Sequence, residues 1–416
     1  MVLHLSTFHL EGGAGVAAAR LHQALLKSGI ESSLLAAFPS KEEQNVYGLG
    51  NSKWDLRKMW ARFTAERLLF YPQEADQSVR FAFSPAGIGA DISAHPLVRK
   101  ADILHLHWIN FGFLSLQSLE KLFALNKPIV WTMHDMWTMT GGCHYNRGCE
   151  RFLSHCQYCP YLAKPDIYDI SFTQFEAKKA LYSQAKTALI SPSLWLDTLA
   201  KKAALTRNLN SFCIPNCIDT TLFRPVDKLA ARHAFGLPAD KKLILFTGAN
   251  IQDKRKGFVY FKQALECMKS VSAGIEVMLF GKADVSGFSD FPVPVHYIGK
   301  ISDTETMVNA YNAADLIVVP SLEDNLPNTI MEAMACGTPA VGFDTGGIPE
   351  MIDHQLNGFV AEQRSADSLA AGISWVLEQN GSPALSAAAR EKVVNHYSES
   401  LIASRYQAIY NSLLNG

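Results

Sequence analysis

The feature that most constrains this chain is an alternation sustained from end to end, in which short apolar runs are followed by polar or glycine-bearing loops and then by amphipathic segments. That pattern predicts parallel sheets wrapped by helices, an α/β class. In the first half strands are expected at Val2–Ser6, Ser33–Phe38, Asp102–His107, Ile129–Thr132, Ala188–Ser191 and Ser211–Ile214. The second half restarts at Lys242–Thr247 and continues through Glu276–Phe280, His296–Ile298, Leu316–Pro320 and Pro339–Phe343, with helices expected at Phe258–Val271, Asp303–Ala313, Asn328–Cys336 and Ala366–Glu378. Between the halves, Pro215 to Pro238 carries turn residues and loses apolar periodicity, which predicts a crossover and a hinge.

With 416 residues and 48% apolar composition, each half is large enough for one doubly wound domain, and such sheets bind ligands at the carboxyl ends of their strands. The expected division is 1–214, 215–396 and a terminal segment 397–416. In that segment Leu401, Tyr406, Ile409, Tyr410 and Leu413 share one face at helical spacing, so it should pack on a domain. The 38 basic and 39 acidic residues sum to −1, which argues against a nucleic-acid partner held by phosphate neutralisation. No apolar run approaches a membrane span and the first residues lack a signal pattern, so a cytoplasmic chain is expected.

Several clusters could carry chemistry. Gly12, Gly13 and Gly15 stand between the first strand and an apolar helix starting near Val16, where backbone N–H groups can approach an anion or where a tight turn needs glycine. His134 and Asp135 follow a buried strand, a place where an imidazole oriented by a carboxylate can bond a hydroxyl. His105 and His107 alternate with Leu104 and Leu106, and are read as polar groups satisfied in the wall of the site. Lys254, Arg255 and Lys256 precede Gly257 at a strand-to-helix junction, as a clamp for a diphosphate leaving group would require. Glu323-Asp324-Asn325-Leu326-Pro327-Asn328 leads into a helix carrying Glu332 among apolar neighbours. Two carboxylates at that spacing can take hydroxyls of two sugars, and Asn328 reads as the helix N-cap.

Pro320-Ser321 through Asp324-x7-Glu332-Ala333-Met334-Ala335-Cys336-Gly337, with Gly346-Gly347-Ile348-Pro349-Glu350 following, resembles retaining glycosyltransferases of family 4. Pro215-Asn216-Cys217-Ile218-Asp219 is similar to that family's interdomain signature. The resemblance implies the GT-B fold, with two doubly wound domains facing a central cleft and a terminal helix that returns to the amino-terminal domain. It implies a sugar moved from a nucleotide donor, a UDP- or GDP-sugar, to a glycan or lipid-linked hydroxyl, with no obligatory catalytic metal. Lys256 would hold the diphosphate with Lys254 and Arg255 beside it, and Gly13 and Gly15 would lie in the amino-terminal glycine loop. Asp324 would meet the donor sugar and Glu332 the ribose, with Glu323, Asn325, Leu326 and Asn328 around them. His134 and Asp135 would line the acceptor side. The first acidic position is Asp324 where the family usually has Glu, and Asn250 replaces an arginine, leaving Lys254 or Arg255 as the substitute cation.

Thr132-x-His134-Asp135-x-Trp137, followed by Cys143, Cys149, Cys156 and Cys159, resembles transferases of bacterial exopolysaccharide assembly, including the colanic-acid type. Four cysteines in one 17-residue window suit a structural zinc, with His144 and His155 as alternative ligands; buried or disulfide-paired cysteines are the other reading. Lys53, Arg57, Lys58, Arg62 and Arg67 interleave with Trp54, Leu56, Met59, Trp60, Phe63 and Phe70, which suits either an interfacial helix on anionic lipid (residues 53–70) or a helix packed on the sheet. A nucleotide-sugar epimerase of similar fold and a non-catalytic sugar-binding scaffold are the competing functions.

Overall fold

The computed structural model describes residues 1–39, 43–50, 52–183, 187–268, 273–283, 288, 290–379 and 382–415. The chain divides into two compact units, Met1–Pro215 with Ile402–Gly416, and Asn216–Leu401.

The first unit is a parallel sheet of seven strands, β1 (Val2–Phe8), β2 (Ser32–Phe38), β3 (Val46–Gly48), β4 (Ile103–Leu106), β5 (Ile129–Thr132), β6 (Thr187–Ser191) and β7 (Asn210–Cys213), in the order β3-β2-β1-β4-β5-β6-β7. The order reverses between β1 and β4, the kind of switch point at whose carboxyl ends open α/β sheets bind ligands. Register matters here, because Leu3 lies beside Leu104 and His4 beside His105. Side chains alternate across a strand, so Leu3, Leu5, Leu104 and Leu106 enter one apolar core while His4 and His105 share the opposite face. That histidine face is buried as well, under the helix Gly12–Lys27, which brings His22, and the helix Glu399–Asn415, which brings Tyr406 and Tyr410.

The second unit holds six parallel strands, β8 (Lys242–Asn250), β9 (Ile275–Lys282), β10 (Val295–Gly299), β11 (Leu316–Val319), β12 (Ala340–Phe343) and β13 (Gly358–Ala361), in the order β10-β9-β8-β11-β12-β13. Its sheet is apolar on both faces: Leu243 and Leu245 enter one core, Ile244 and Phe246 the other. Burial on both faces requires continuous apolar runs, which is why these strands stand out in the sequence. The switch point falls between β8 and β11.

Several sequence expectations are corrected. The edge strands β3 and β13 went unpredicted because three and four residues are too short a run to stand out. Gly12, Gly13 and Gly15 are not in a loop ahead of the helix but form its first turn, since the helix starts at Gly12 with Glu11 as N-cap. Gly15 is required there, because a Cβ would stand 2.9 Å from the Phe8 carbonyl oxygen. The helix after β8 is Phe258–Cys267, and residues 269–271 of the expected segment lie outside the described residues. In the terminal helix Leu401 is exposed, and the stripe that packs is Ile402, Ala403, Tyr406 and Tyr410.

Candidate functional site

At the switch point of the second sheet, β8 and β11 are neighbours, so the loops that leave them meet. Lys254–Lys256 makes a short 3₁₀ turn capped by Asp253, and Gly257 closes it at φ +69°. A side chain at Gly257 would collide with the Pro320 carbonyl oxygen, so glycine is what lets the two loops touch; the Leu322 N–H then donates to the Arg255 carbonyl at 2.7 Å. This contact delivers Lys256 Nζ to Asp324 Oδ2 at 2.6 Å. Ser321 Oγ donates to the same oxygen at 3.1 Å, and the Asn325 N–H donates to Oδ1 at 3.1 Å. The three cations do not converge. Arg255 turns back to pair with Asp253 at 2.6 Å, and Lys254 is exposed.

Glu332 is buried in the helix Asn328–Ala335, where its Oε2 accepts the Tyr311 hydroxyl at 2.5 Å. A carboxylate among Ile330, Met331, Ala333 and Met334 needs such a partner. Asn328 is not the N-cap. Pro327 holds that position, and the Asn328 side-chain Oδ1 accepts the Asn216 side-chain amide N–H at 3.2 Å instead. Leu326 and Asn325 are buried beneath the loop, while Glu323 is half-buried.

In the first unit, His134 and Asp135 follow β5, half-buried. Asp135 Oδ2 accepts His144 Nδ1 at 2.7 Å and Trp108 Nε1 at 2.8 Å, and Oδ1 accepts the Trp137 N–H at 2.8 Å. Burial pushes the Asp135 carboxyl up, but His144 and these donors more than offset it, leaving it below its ordinary value. His134 is kept neutral, with burial pushing it down to about 4 against the opposing charge of Asp135. Its Nε2 meets His107 Nδ1 at 3.1 Å.

A run of aromatic rings leads from this corner along the strand ends. Trp108 stands 4.6 Å from Phe111 and 5.9 Å from Phe8, Phe111 5.7 Å from Phe63, and Phe38 4.8 Å from Trp60, all centroid to centroid. Phe63 and Trp60 belong to the helix Lys53–Phe70. On that helix Trp54, Leu56, Trp60, Leu68 and Leu69 are exposed together with Lys53, Arg57 and Lys58. Five members of the expected interfacial set are not fully outward: Met59 and Phe70 are buried, Arg67 donates to the Arg80 and Phe83 carbonyls at 2.6 and 2.9 Å, and Arg62 and Phe63 are half-buried, against Met59 and Phe111. Sequence reading missed the ring run, because Phe8, Phe38, Trp108 and Phe111 are scattered singly over about a hundred residues and only the sheet order joins them.

Cys143, Cys149, Cys156 and Cys159 are free thiols lining one cavity, and Cys156 Sγ accepts the Gly141 N–H at 3.1 Å. Burial pushes the Cys156 thiol up to about 11 and Cys159 to about 12. Among the described residues no three of these sulfurs gather within 4.8 Å of one another. His144 and His155 are engaged elsewhere, with Asp135 and Ser84 and with Glu176, so neither offers a ligand here. Lys178, fully buried, secures the loop by donating to the Trp137 and Thr140 carbonyls at 2.5 and 3.0 Å.

Two doubly wound parallel units make up the GT-B fold, and the sequence profiles make the chain a glycosyltransferase. Residues 11–222 match the sequence profile described as Glycosyltransferase Family 4, and residues 241–379 the one described as Glycosyl transferases group 1. The chain belongs to glycosyltransferase family 4. It is 26% identical over 371 residues to a putative colanic acid biosynthesis glycosyl transferase of Escherichia coli, covering 87% of each chain. It is 31% identical over 207 residues to a D-inositol 3-phosphate glycosyltransferase of Mycolicibacterium smegmatis, of whose length that match spans only 46%, as it does of this chain. Among solved structures the fold is shared with sucrose-phosphate synthase from Thermosynechococcus elongatus, with a TM-score of 0.68, 19% identity and 100% and 99% of the two chains covered. It is shared too with Anabaena HepE in complex with UDP-glucose, with a TM-score of 0.62, 16% identity and 99% of each chain covered. Among the described residues no helix is long and apolar enough to cross a membrane.

Proposed function

We propose that this chain is a retaining glycosyltransferase that moves a sugar from a nucleotide-sugar donor, a UDP- or GDP-sugar, to a hydroxyl of a glycan or lipid-linked acceptor in surface-polysaccharide assembly. The observation that carries the reading is the Lys256–Asp324 pair at the switch point of the second sheet. A donor diphosphate would compete with Asp324 for Lys256 Nζ, and the carboxylate oxygens released would accept hydroxyls of the donor sugar. Lys256 then stabilises the charge that develops as the bond from the anomeric carbon to the diphosphate oxygen breaks. The acceptor oxygen forms its bond from the same face, and its proton passes to a diphosphate oxygen. Glu332, held by Tyr311, is read as the ribose contact, and the first-turn N–H groups at Gly13 and Gly15 as further anion donors. Anabaena HepE bound to UDP-glucose and the colanic acid relative support the donor class and the pathway class respectively.

On the acceptor side the reading uses His134, Asp135 and the aromatic run. The exposed aromatic and basic residues of Lys53–Phe70 support peripheral contact with anionic lipid at a cytoplasmic membrane face. A structural zinc held by Cys143, Cys149, Cys156 and Cys159 is part of the proposal, supported by four free thiols around one cavity; the sulfurs would have to draw inward to close a tetrahedron. Elemental analysis should find about one zinc per chain, lost when Cys156 and Cys159 become Ser. A zinc-free protein with full activity would remove that part.

The test of the main reading is a thermal-shift screen of UDP- and GDP-sugars, followed by transfer assays with acceptor omitted and supplied, the product anomer being read by NMR. Stabilisation by one donor class and retention of its anomeric configuration are expected. An inverted product would overturn the retaining mechanism, and an isomerised donor without transfer would point to epimerisation.

A further inference from the structure

Ser321 is a polar side chain in the second unit to which the reaction above gives no task. It is fully buried, and its neighbours on both sides make the junction between the loops that leave β8 and β11. Gly257 packs against the Pro320 carbonyl, and the Leu322 N–H donates to the Arg255 carbonyl at 2.7 Å. The backbone flanking Lys256 is thus fastened on either side of Ser321. A second turn fixes the far end of the loop. A Cβ at Gly346, where φ is +57°, would run into the Asp324 carbonyl oxygen, and the Gly347 N–H donates to the Asn325 carbonyl at 2.7 Å. With both backbones held, what is left to move is the long side chain of Lys256.

That side chain has two claimants. Its Nζ lies 2.6 Å from Asp324 Oδ2, and the reading above requires it to meet the donor diphosphate instead. Its departure takes from Asp324 the one charged partner it has among the described residues, where the Asp324 side chain is only 15% exposed. A carboxylate so placed needs donors that stay behind. Two do: Ser321 Oγ donates to Oδ2 at 3.1 Å, and the Asn325 N–H donates to Oδ1 at 3.1 Å. A carboxylate offers about four lone-pair directions, two on each oxygen. Once Lys256 withdraws, these donors fill one on each oxygen and leave one on each, an arrangement that two adjacent hydroxyls of one sugar can occupy.

We infer that Ser321 is a positioning residue for a hand-over: its hydroxyl holds the Asp324 carboxylate in place while Lys256 passes from that carboxylate to the diphosphate. This role rests on the reading of Lys256 as the diphosphate contact. The hydroxyl counts for more with the diphosphate bound than without it, because it then supports a charge that the ammonium has left.

Calorimetric titration of the full chain with UDP and with GDP identifies the tighter diphosphate, which is then carried through the variants. Ser321→Ala should weaken it about fivefold, and Ser321→Cys, close in volume but a weak donor, about as much. Ser321→Thr keeps the hydroxyl and should bind within about twofold of the wild type; should its extra methyl prevent folding, the Ala and Cys variants carry the test. In an Asp324→Asn background no anion is left to support, so adding Ser321→Ala should change affinity by less than about twofold. Unchanged affinity in both the Ala and Cys variants would overturn the hand-over. So would the same loss with and without Asp324→Asn, which would mark the hydroxyl as structural. Lys256→Ala reports on the underlying reading: diphosphate affinity that survives it removes Lys256 from the diphosphate and the hand-over with it. A loss there beside an inert Ser321→Ala sinks the hand-over alone.

Discussion

The two sheets share a topology and differ in what covers their faces. In the second unit both faces of the sheet are apolar, and every histidine, His233, His296, His354 and His396, is half-buried or exposed. In the first unit one face is apolar and the other carries His4 and His105 against His22, with His107 and His134 continuing the line. Similar folding pressure thus yields one unit with no histidine in its interior and one whose interior holds five imidazoles that burial keeps neutral. The charged work is divided the other way: the Lys256–Asp324 pair sits in the unit without buried histidines, while the proposed acceptor side in the first unit offers neutral donors, acceptors and rings.

Acid breaks this comparison most directly. Burial holds His4, His105 and His107 well below their ordinary value, and His22 and His134 at about 4. In the unfolded chain these rings titrate near 6.5, so below that pH the unfolded state binds more protons and stability falls as pH falls. The stabilisation is full above about pH 6.5 and is lost progressively toward pH 4, at up to about 1.4 kcal/mol per pH unit for each ring. Five rings make several kcal/mol. The first unit should therefore melt before the second in this window. Tryptophan fluorescence follows it well, since Trp375 is the single tryptophan outside the first unit. A melting profile flat from pH 7 to 4.5, or both units losing stability in parallel, would refute the contrast.

The same contrast explains what could be read in advance. The second unit was legible because doubly apolar strands give continuous runs, and because Lys256-Gly257 and Asp324 through Glu332 lie in short local motifs. In the first unit His134 and Asp135 were legible for the same reason. His4 was not, since a single histidine in an apolar strand is unremarkable until register sets it beside His105. Arg255 and Lys254 were misplaced because spacing shows that cations are near, not that Asp253 captures one of them. Leu401 was misassigned by one helical position, which turns a side chain by about 100°.

The next effect in size tests the surface of the first unit. Exchanging Arg57, Lys58 and Arg62 for Glu should abolish binding to anionic vesicles, because each basic residue near such a surface contributes about 1 kcal/mol. Arg57 and Lys58 are exposed and Arg62, half-buried, donates to the Met59 sulfur at 3.3 Å, so the melting temperature should fall little. Vesicle binding of the wild type should also weaken with added salt. Indifference of the wild type to anionic vesicles at low salt would leave the exposed Trp54 and Trp60 without a lipid role.

In the second unit Lys256→Ala should weaken binding of both donor and free nucleoside diphosphate by about tenfold or more, as expected for loss of a charge-assisted contact of about 1.5–3 kcal/mol. Unchanged diphosphate affinity in the folded variant would show that the pair with Asp324 is structural only.

The smallest effects separate the two carboxylates, and the observed pairing fixes their signs. Asp324 occupies Lys256 Nζ at 2.6 Å, so it competes with an incoming diphosphate for the same ammonium. Asp324→Asn should leave nucleoside diphosphate binding unchanged or tighten it by a few-fold, while weakening the intact donor, whose sugar hydroxyls lose a charged acceptor. Glu332 has a different described partner. Its Oε2 takes the Tyr311 hydroxyl, so Glu332→Gln keeps a carbonyl oxygen for that bond yet loses the charge offered to the ribose. It should weaken nucleoside diphosphate and donor alike, by less than Lys256→Ala does. Calorimetric titration of both variants with UDP or GDP, with and without the sugar attached, reads the difference. If Asp324→Asn weakens the free diphosphate as much as Glu332→Gln does, the carboxylate does not compete for Lys256, and the division between sugar-binding and ribose-binding acids fails with it.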